Sequence, residues 1–409
     1  VLALAAGTSP SGGLFAAAVA IAVTGAGGWR RGLGGALVSV LVNLPWLVPA
    51  VLAVPGTPAD PFGAVAFAAR PDTPFGLLGS LATFGGIWKT SVVSPLRASV
   101  LLSAVALLLT IAGCYGAASD KAAERLLRPL AVVAVPMLAG AWILSAPWGA
   151  GLSEALVVHV PGGGVLRDAQ KWVAPFALLV SLGLGSLVNR IEPWLAGRRL
   201  TWTAFAVVSL PVLVLPTLAW GRLGEWRPTP YPEEWSVLAD QVAESVGPNQ
   251  KMVSLPFSVY RRYAWNHQVA VLDPAPRFFD ATVITDDALG VRDGTVAGES
   301  AAAAEIRAAL GDPAHLARVL RAQGVRWVLV QKHTPGPGTL PADAGTVAFD
   351  GTELRLVDLG QPAVATPPTA AKGWAAPLLA LDAGLLGLVV GGALAALREL
   401  RLAVRRREG

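Results

Sequence analysis

The apolar residues of this chain gather into runs of about 18–23, each long enough to cross a hydrocarbon core of roughly 30 Å. Seven such runs can be drawn, at about 12–28, 32–54, 98–117, 129–149, 172–189, 200–221 and 374–396. A chain with this pattern has few soluble folds open to it. Charge is scarce to match: 14% of the 409 residues are charged and 54% are hydrophobic, whereas soluble domains average about 25% charged. The expectation is a polytopic α-helical membrane protein.

The basic residues set its orientation. Arg30 and Arg31, then Lys121, Arg125 and Arg128, then Arg190, Arg198 and Arg199, and finally Arg398, Arg401, Arg405, Arg406 and Arg407 all fall in gaps between or beyond the runs. Placing these clusters on the cytoplasmic side satisfies the positive-inside bias without an exception. The gaps 55–97, 150–171 and 223–373 then lie outside, and the C-terminus inside, as a multi-pass protein of the plasma membrane. The net charge of +5 is thus spent on topology, and its distribution argues against nucleic acid as a partner. One cysteine, Cys114, lies within an apolar run and allows no internal disulfide or CxxC metal site. Beginning at Val1 and almost within an apolar segment, the chain reads as a C-terminal portion of a longer protein.

Three regions follow: a transmembrane part over 1–222 with outer loops 55–97 and 150–171, an extracytoplasmic α/β domain and tether over 223–373, and a last span with a basic tail over 374–409. The first outer loop is too broken by Pro and Gly for a span and too apolar for a solvated loop. It suits interfacial or re-entrant helices tucked against protein, since bare backbone cannot face lipid. In the soluble domain the pattern predicts helices over 233–246, 299–310 and 313–323, the last opened by Asp312 as N-cap with Pro313 behind it. Strands are predicted at 251–256 and 326–332, and a hairpin turning on Asp350-Gly351.

Soluble-enzyme signatures are absent: the chain has no GxxxxGK[ST], GxSxG or HExxH. His159, His267, His315 and His333 are scattered and suit surface or packing roles. Gly162-Gly163-Gly164 has no preceding strand to make it a phosphate loop, and a flexible turn is the default. The stretch VLRDAQKW (165–172) is more informative. If the following helix begins near Asp168, Arg167 and Lys171 flank its positive end, where like charges at i,i+4 repel unless an anion lies between them. A phosphate there gains both cations and the helix end. Alternatively, Asp168 neutralises one of them, or both snorkel to headgroups.

Trp88 and Lys89, after Gly85-Gly86, form either an interfacial anchor or a contact to sugar or lipid. Asn43 and Trp46 in NLPWLVP either pack helices or line a cavity. Asp60 and Asp72, the acidic residues of the first outer loop, read as solvated turn formers, although glycosyl transfer would call for a carboxylate on that face.

Together, GGGVLRDAQKWVAPFALLVSLGLG, NLPWLVP and GGIWKTSVVSP resemble the large actinobacterial membrane proteins related to the GT-C glycosyltransferases, the arabinofuranosyltransferase group above all. That group has a comparable leucine–arginine–x–x–x–lysine–aromatic stretch before a span, and a similar order of spans, long outer loops and late extracytoplasmic domain. The resemblance implies glycosyl transfer on the outer face, from a polyprenyl-phosphate sugar to a lipid or envelope glycan. It implies an acidic base in the first outer loop of the whole protein, with a divalent metal nearby; that loop is expected to precede this chain, in which no catalytic residue, metal ligand or cofactor site is evident. By the same resemblance Arg167 and Lys171 hold the donor or product phosphate. Two other readings stand beside it: a non-catalytic scaffold binding envelope glycan or a partner, and a transporter of lipid-linked sugar. The transporter is disfavoured by spans with few ionisable residues besides Asp382.

Overall fold

A computed structural model of the chain describes residues 9–52, 60–160, 162–191, 228–245 and 250–361, with isolated positions within 201–224 and 380–398. The chain divides into two compact units, one of Val1–Trp226 with Gly373–Gly409 and one of Arg227–Lys372.

The first unit is helical. Its long elements are α1 (Pro10–Gly25), α2 (Trp29–Leu52), α5 (Val100–Ser119), α6 (Glu124–Ser145) and α8 (Ala174–Ile191). Shorter helices α3 (Phe62–Ala66), α4 (Gly76–Ala82) and α7 (Ala150–His159) lie between them. Among the described residues four stretches are long and apolar enough to cross a membrane: Trp29–Val48, Val100–Ser119, Glu124–Ser145 and Ala169–Arg190. The first expected span is a 16-residue apolar helix, which at 1.5 Å per residue reaches about 24 Å. The expected spans at 200–221 and 374–396 lie largely outside the described residues, so four of the seven expected spans are present at full length among the described residues.

Helix α6 begins five residues ahead of the span drawn from Pro129. Asp120 accepts a hydrogen bond from the Ala123 N–H at 3.0 Å just before it, and Pro129 and Pro136 both lie within the helix. The gap 150–171 is not plain loop either, since α7 and two 3-10 turns fill most of it.

Small residues decide how the long helices meet. A Cβ on Gly183 of α8 would lie 1.9 Å from the Gly113 carbonyl oxygen of α5, and one on Gly116 would lie 2.0 Å from the Gly183 oxygen. Backbone therefore touches backbone, and the two helices run parallel from that crossing. Without a hydrophobic driving force between helices in lipid, such close packing is the main source of their attraction. At the α1–α2 contact Gly13 faces Asn43 and Gly35 faces Thr24 in the same way.

The strands of the second unit are β1 (Lys251–Leu255), β2 (Tyr260–Arg261), β3 (Val271–Leu272), β4 (Thr282–Ile284), β5 (Leu289–Val291), β6 (Gly294–Val296), β7 (Val325–Gln331), β8 (Thr346–Asp350) and β9 (Leu354–Asp358). Five of them form a sheet in the order β4-β1-β7-β9-β8, while β2 pairs with β3 and β5 with β6. β4, β1 and β7 are parallel, and β9 and β8 continue antiparallel. Successive residues of a strand point to opposite faces, and both faces are covered. Val253 and Val328 pack with Ile306, Leu316 and Leu320 from the helices Ala301–Ala309 and Pro313–Ala322. Met252, Trp327 and Leu329 pack with Trp235 and Leu238 of the helix Glu233–Ser245. That double burial is why RWVLVQK reads as an unbroken apolar strand. Asp312 caps its helix as expected, accepting from the Ala314 and His315 N–H groups at 2.9 and 3.2 Å.

The hairpin turn is wider than an Asp-Gly pair would make it, because Asp350 stays in register with Arg355. Hydrogen bonds from Arg355 and Lys332 draw the Asp350 carboxyl down to about 2. Glu234 reaches the turn, accepting from the N–H groups of Thr352 (2.8 Å), Glu353 (3.1 Å) and Leu354 (2.6 Å) and from the Thr352 hydroxyl (2.8 Å). Burial pushes this carboxyl up, but the hydrogen bonds outweigh it and hold Glu234 below the usual carboxylate range.

Two outcomes test these contacts. Gly183→Ala should cost about 1–3 kcal/mol by overpacking the helix crossing, while Gly185→Ala, with nothing within 4 Å, should be neutral or slightly stabilising; thermal unfolding in detergent distinguishes them. Residues 226–362 expressed alone should melt in one transition, and Glu234→Gln should lower their stability at pH 7 by about 1–2 kcal/mol. Because the folded-state carboxyl is depressed, that difference is present above the unfolded pKa of about 4.3 and disappears as pH falls through the folded value.

Candidate functional site

The segment ahead of α8 is built from glycine geometry. Gly162 has φ +75, and a Cβ on Gly163 would lie 2.0 Å from the Leu156 carbonyl oxygen. The glycine run is a turn, as expected, packed closely against α7. Two 3-10 turns follow, Gly163–Leu166 and Ala169–Val173, before α8 begins at Ala174.

Arg167 and Lys171 therefore do not share one continuous helix. Asp168 separates them with a non-helical ψ of 73°. The Ala169 N–H donates to the Arg167 carbonyl at 3.0 Å and the Lys171 N–H to the Asp168 carbonyl at 3.0 Å, so these groups are already used within the turn. The two side chains also take different partners. The Arg167 guanidinium lies 4.6 Å above the Phe67 ring. Lys171 Nζ donates to Asp168 Oδ2 at 2.5 Å, with the lysine side chain half exposed.

The Phe67 ring meets Trp88 edge-on at 4.9 Å. Arg167, Phe67 and Trp88 thereby form one row, joining two of the residues singled out in the sequence. Lys89 beside Trp88 is exposed. Asn43 and Trp46 belong elsewhere: the Trp46 indole donates to Asn43 Oδ1 at 2.7 Å, and the Asn43 amide donates to the Ser39 carbonyl at 2.7 Å. Asn43 is buried where α1 crosses α2 at Gly13. That arrangement is helix packing.

Asp72 is not a solvated turn former, and that expectation is corrected. Its side chain is buried and pairs with Arg97, Nη2 to Oδ1, at 2.9 Å. Asp72 Oδ2 accepts the Gly86 N–H at 2.9 Å. Arg97 also donates to the Thr83 carbonyl at 3.1 Å, the Thr83 hydroxyl at 3.0 Å and the Ser80 carbonyl at 3.2 Å. Ser80 Oγ in turn accepts the N–H groups of Asp72 and Thr73. Gly85-Gly86 exists for this pair: a Cβ on Gly85 would collide with Arg97 Nη2, and Gly86 needs φ +89. The pair holds the loop over 62–99 in one shape, and Leu81 and Ala69 pack it onto Ala141 of α6 and Val173. Asp60 is a turn former as read, its carboxylate accepting the Phe62 N–H at 2.9 Å. The Asp72–Arg97 partnership escaped the sequence reading. The two residues lie on either side of Gly85-Gly86 in a loop that also carries Asp60, Arg70 and Lys89, so no local spacing singled them out.

In the second unit a further polar cluster sits at the ends of β1 and β7. Arg261 donates to Asp273 at 2.8 Å and to Ser254 at 2.9 Å, and Gln331 donates to both at 2.8 Å. The cluster is wholly buried. Among the described residues no three His, Cys, Asp or Glu side chains come together to hold a metal.

No protein-family profile and no curated protein matches the sequence. Among solved structures, the chain is similar to the arabinofuranosyltransferase AftD from mycobacteria, solved by single-particle cryo-EM. The TM-score is 0.48 and the identity 16%, over 86% of this chain and 26% of that one. A mutant of that enzyme gives a TM-score of 0.40 at 16% identity, over 81% and 25%. The chain thus spans about a quarter of the length of the structures it matches.

Asp72→Asn should leave the Arg97 charge buried without its counter-charge, at a cost of about 3–5 kcal/mol. Asp72→Asn combined with Arg97→Gln should recover part of that loss. Thermal unfolding of the solubilised chain reads both variants, and limited proteolysis within 62–99 reads the loosening of the loop. A single variant that melts with the parent would show that the pair does not hold the loop.

Proposed function

We propose that the chain is part of a membrane glycosyltransferase-like protein that handles a polyprenyl-phosphate-linked sugar at the outer face of the plasma membrane, for assembly of envelope glycan. The observation that carries this reading is the pair of cations on consecutive tight turns where a membrane-length helix begins. Arg167 rests on an aromatic face, which attracts it without cancelling its charge. Lys171 rests on a carboxylate, which offsets its charge. An arriving phosphate gains Arg167 directly and competes with Asp168 for Lys171. A polyprenyl phosphate is a leaving group on which negative charge develops, and preorganised cations are the groups that stabilise it. In this reading Trp88, one ring removed from Arg167, and its neighbour Lys89 border the sugar or lipid.

A second reading, a non-catalytic scaffold that binds envelope glycan, is favoured by Asp72. Both of its oxygens are engaged, by Arg97 and by the Gly86 N–H, so it is not free to serve as a base toward an acceptor hydroxyl.

Binding of polyprenyl phosphate to the purified chain separates the two. Arg167→Gln and Lys171→Gln should each weaken binding by about tenfold to a hundredfold, the loss of one charge-assisted contact. The second substitution should cost less once the first is made, since groups sharing a ligand are not additive. Asp168→Asn, which releases Lys171, should tighten binding. Small additive effects, with no preference over bulk anionic lipid, would remove the donor site and leave the scaffold reading.

A further inference from the structure

An apolar groove of about 310 Å³ opens between α5 and α8 beneath the 62–99 loop. Leu102 and Leu109 line it from α5, Ala177 and Leu184 from α8, and Phe84 and Arg97 from the loop. Its origin lies in the helix crossing. Backbones touch at Gly113 and Gly183, and the groove occupies the N-terminal side of that contact. The loop is fastened over it by two hydroxyls of α5: Ser103 donates to the Arg97 carbonyl at 2.8 Å and Thr110 to the Ala82 carbonyl at 3.0 Å.

Two observations distinguish this groove from a packing defect. Phe84 has φ +63, a conformation that is a genuine outlier for a bulky residue and is retained where the surroundings impose it. Its ring stands 6.2 Å from that of Phe176 and remains 45% exposed at the groove. Arg97, with its side chain only 10% exposed, has a buried Nε–H with no acceptor among the described residues. Buried donors of this kind are rare unless something satisfies them.

We propose that the groove holds one hydrocarbon chain of a bilayer phospholipid, with an ester carbonyl oxygen accepting from Arg97 Nε–H. The volume is about twice the 150 Å³ that admits benzene, room for roughly twelve carbons. Leu101, Leu108 and Ile111 of the same membrane-length helix point outward, Leu101 being 73% exposed, a face suited to contact with hydrocarbon. Charge selects the polar end. Asp72 already matches the Arg97 charge at 2.9 Å, so this end of the groove is neutral overall, which suits a neutral ester better than a phosphate. The site depends on α5, α8 and the loop fastened over them and is independent of glycosyl transfer.

The full chain would be placed in nanodiscs of phosphatidylethanolamine and phosphatidylglycerol doped with a phosphatidylcholine carrying a mid-chain diazirine. After irradiation, the cross-linked peptides are mapped by mass spectrometry. Cross-links should concentrate on 83–110 and 177–184. Ala106→Phe and Ala177→Phe, each filling the groove from a different helix, should lower that yield by about tenfold and leave cross-links to the outward face of Leu101 and Leu108 unchanged. An even yield over all lipid-facing surface of the unmodified chain would overturn the proposal, as would full yield in both filled variants. Displacement of the probe by equimolar polyprenyl phosphate, with excess unlabelled phospholipid ineffective, would overturn the choice of phospholipid.

Discussion

The buried pair of Asp72 and Arg97 is the contact on which the first unit's loop region depends. An ion pair taken out of water offsets its desolvation only when its geometry is good and its remaining hydrogen-bonding groups are occupied. Here the guanidinium meets Asp72, the Thr83 carbonyl and hydroxyl and the Ser80 carbonyl, while the carboxylate also takes the Gly86 N–H. These groups come from three places in the same loop: Asp72, the end of α4 at Ser80 and Thr83, and Gly86. The pair therefore converts a segment with no long helix into a rigid cap, and the cap places Phe67 under Arg167 and Phe84 beside Phe176. Function at Arg167 would rest on a contact remote from that side chain.

How much of this was legible in the sequence follows from how far each signal reaches along the chain. Runs of apolar residues at fixed periods are local, so the long helices α2, α5, α6 and α8 and the strand RWVLVQK could be read directly. The Asp312 cap is equally local. The Asp72–Arg97 pair spans 25 residues and obeys no period, and Arg70 is a nearer cation to Asp72 in sequence, so nothing in the order of residues pointed to it. Lys171 and Asp168 are three apart, and their pairing was one of the open alternatives. What could not be read was the break between Arg167 and Lys171. It depends on Gly163 pressing against Leu156 of α7, a contact fixed by how the elements pack and not by the order of residues around it. Helix α7 was missed for a related reason, being too short to show a membrane period and too apolar to look like a soluble helix.

The two units use the same polar device to different ends. In each, an arginine meets an aspartate in the interior and a serine binds the surrounding backbone or side chains: Arg97, Asp72 and Ser80 in one, Arg261, Asp273 and Ser254 in the other. In each, part of the guanidinium is left over, Nε in Arg97 and both Nε and Nη1 in Arg261. What separates them is what lies alongside. Arg261 is enclosed by the sheet ends and by Tyr263, whose phenol donates to Gln331 at 2.5 Å and whose ionisation burial pushes upward. That cluster has every reason to stay fixed, because opening it would expose an ion pair and an aromatic core together. Arg97 forms part of the wall of a groove. The same arrangement that closes a cluster in the second unit thus stands beside open space in the first, the place where a lipid chain is proposed.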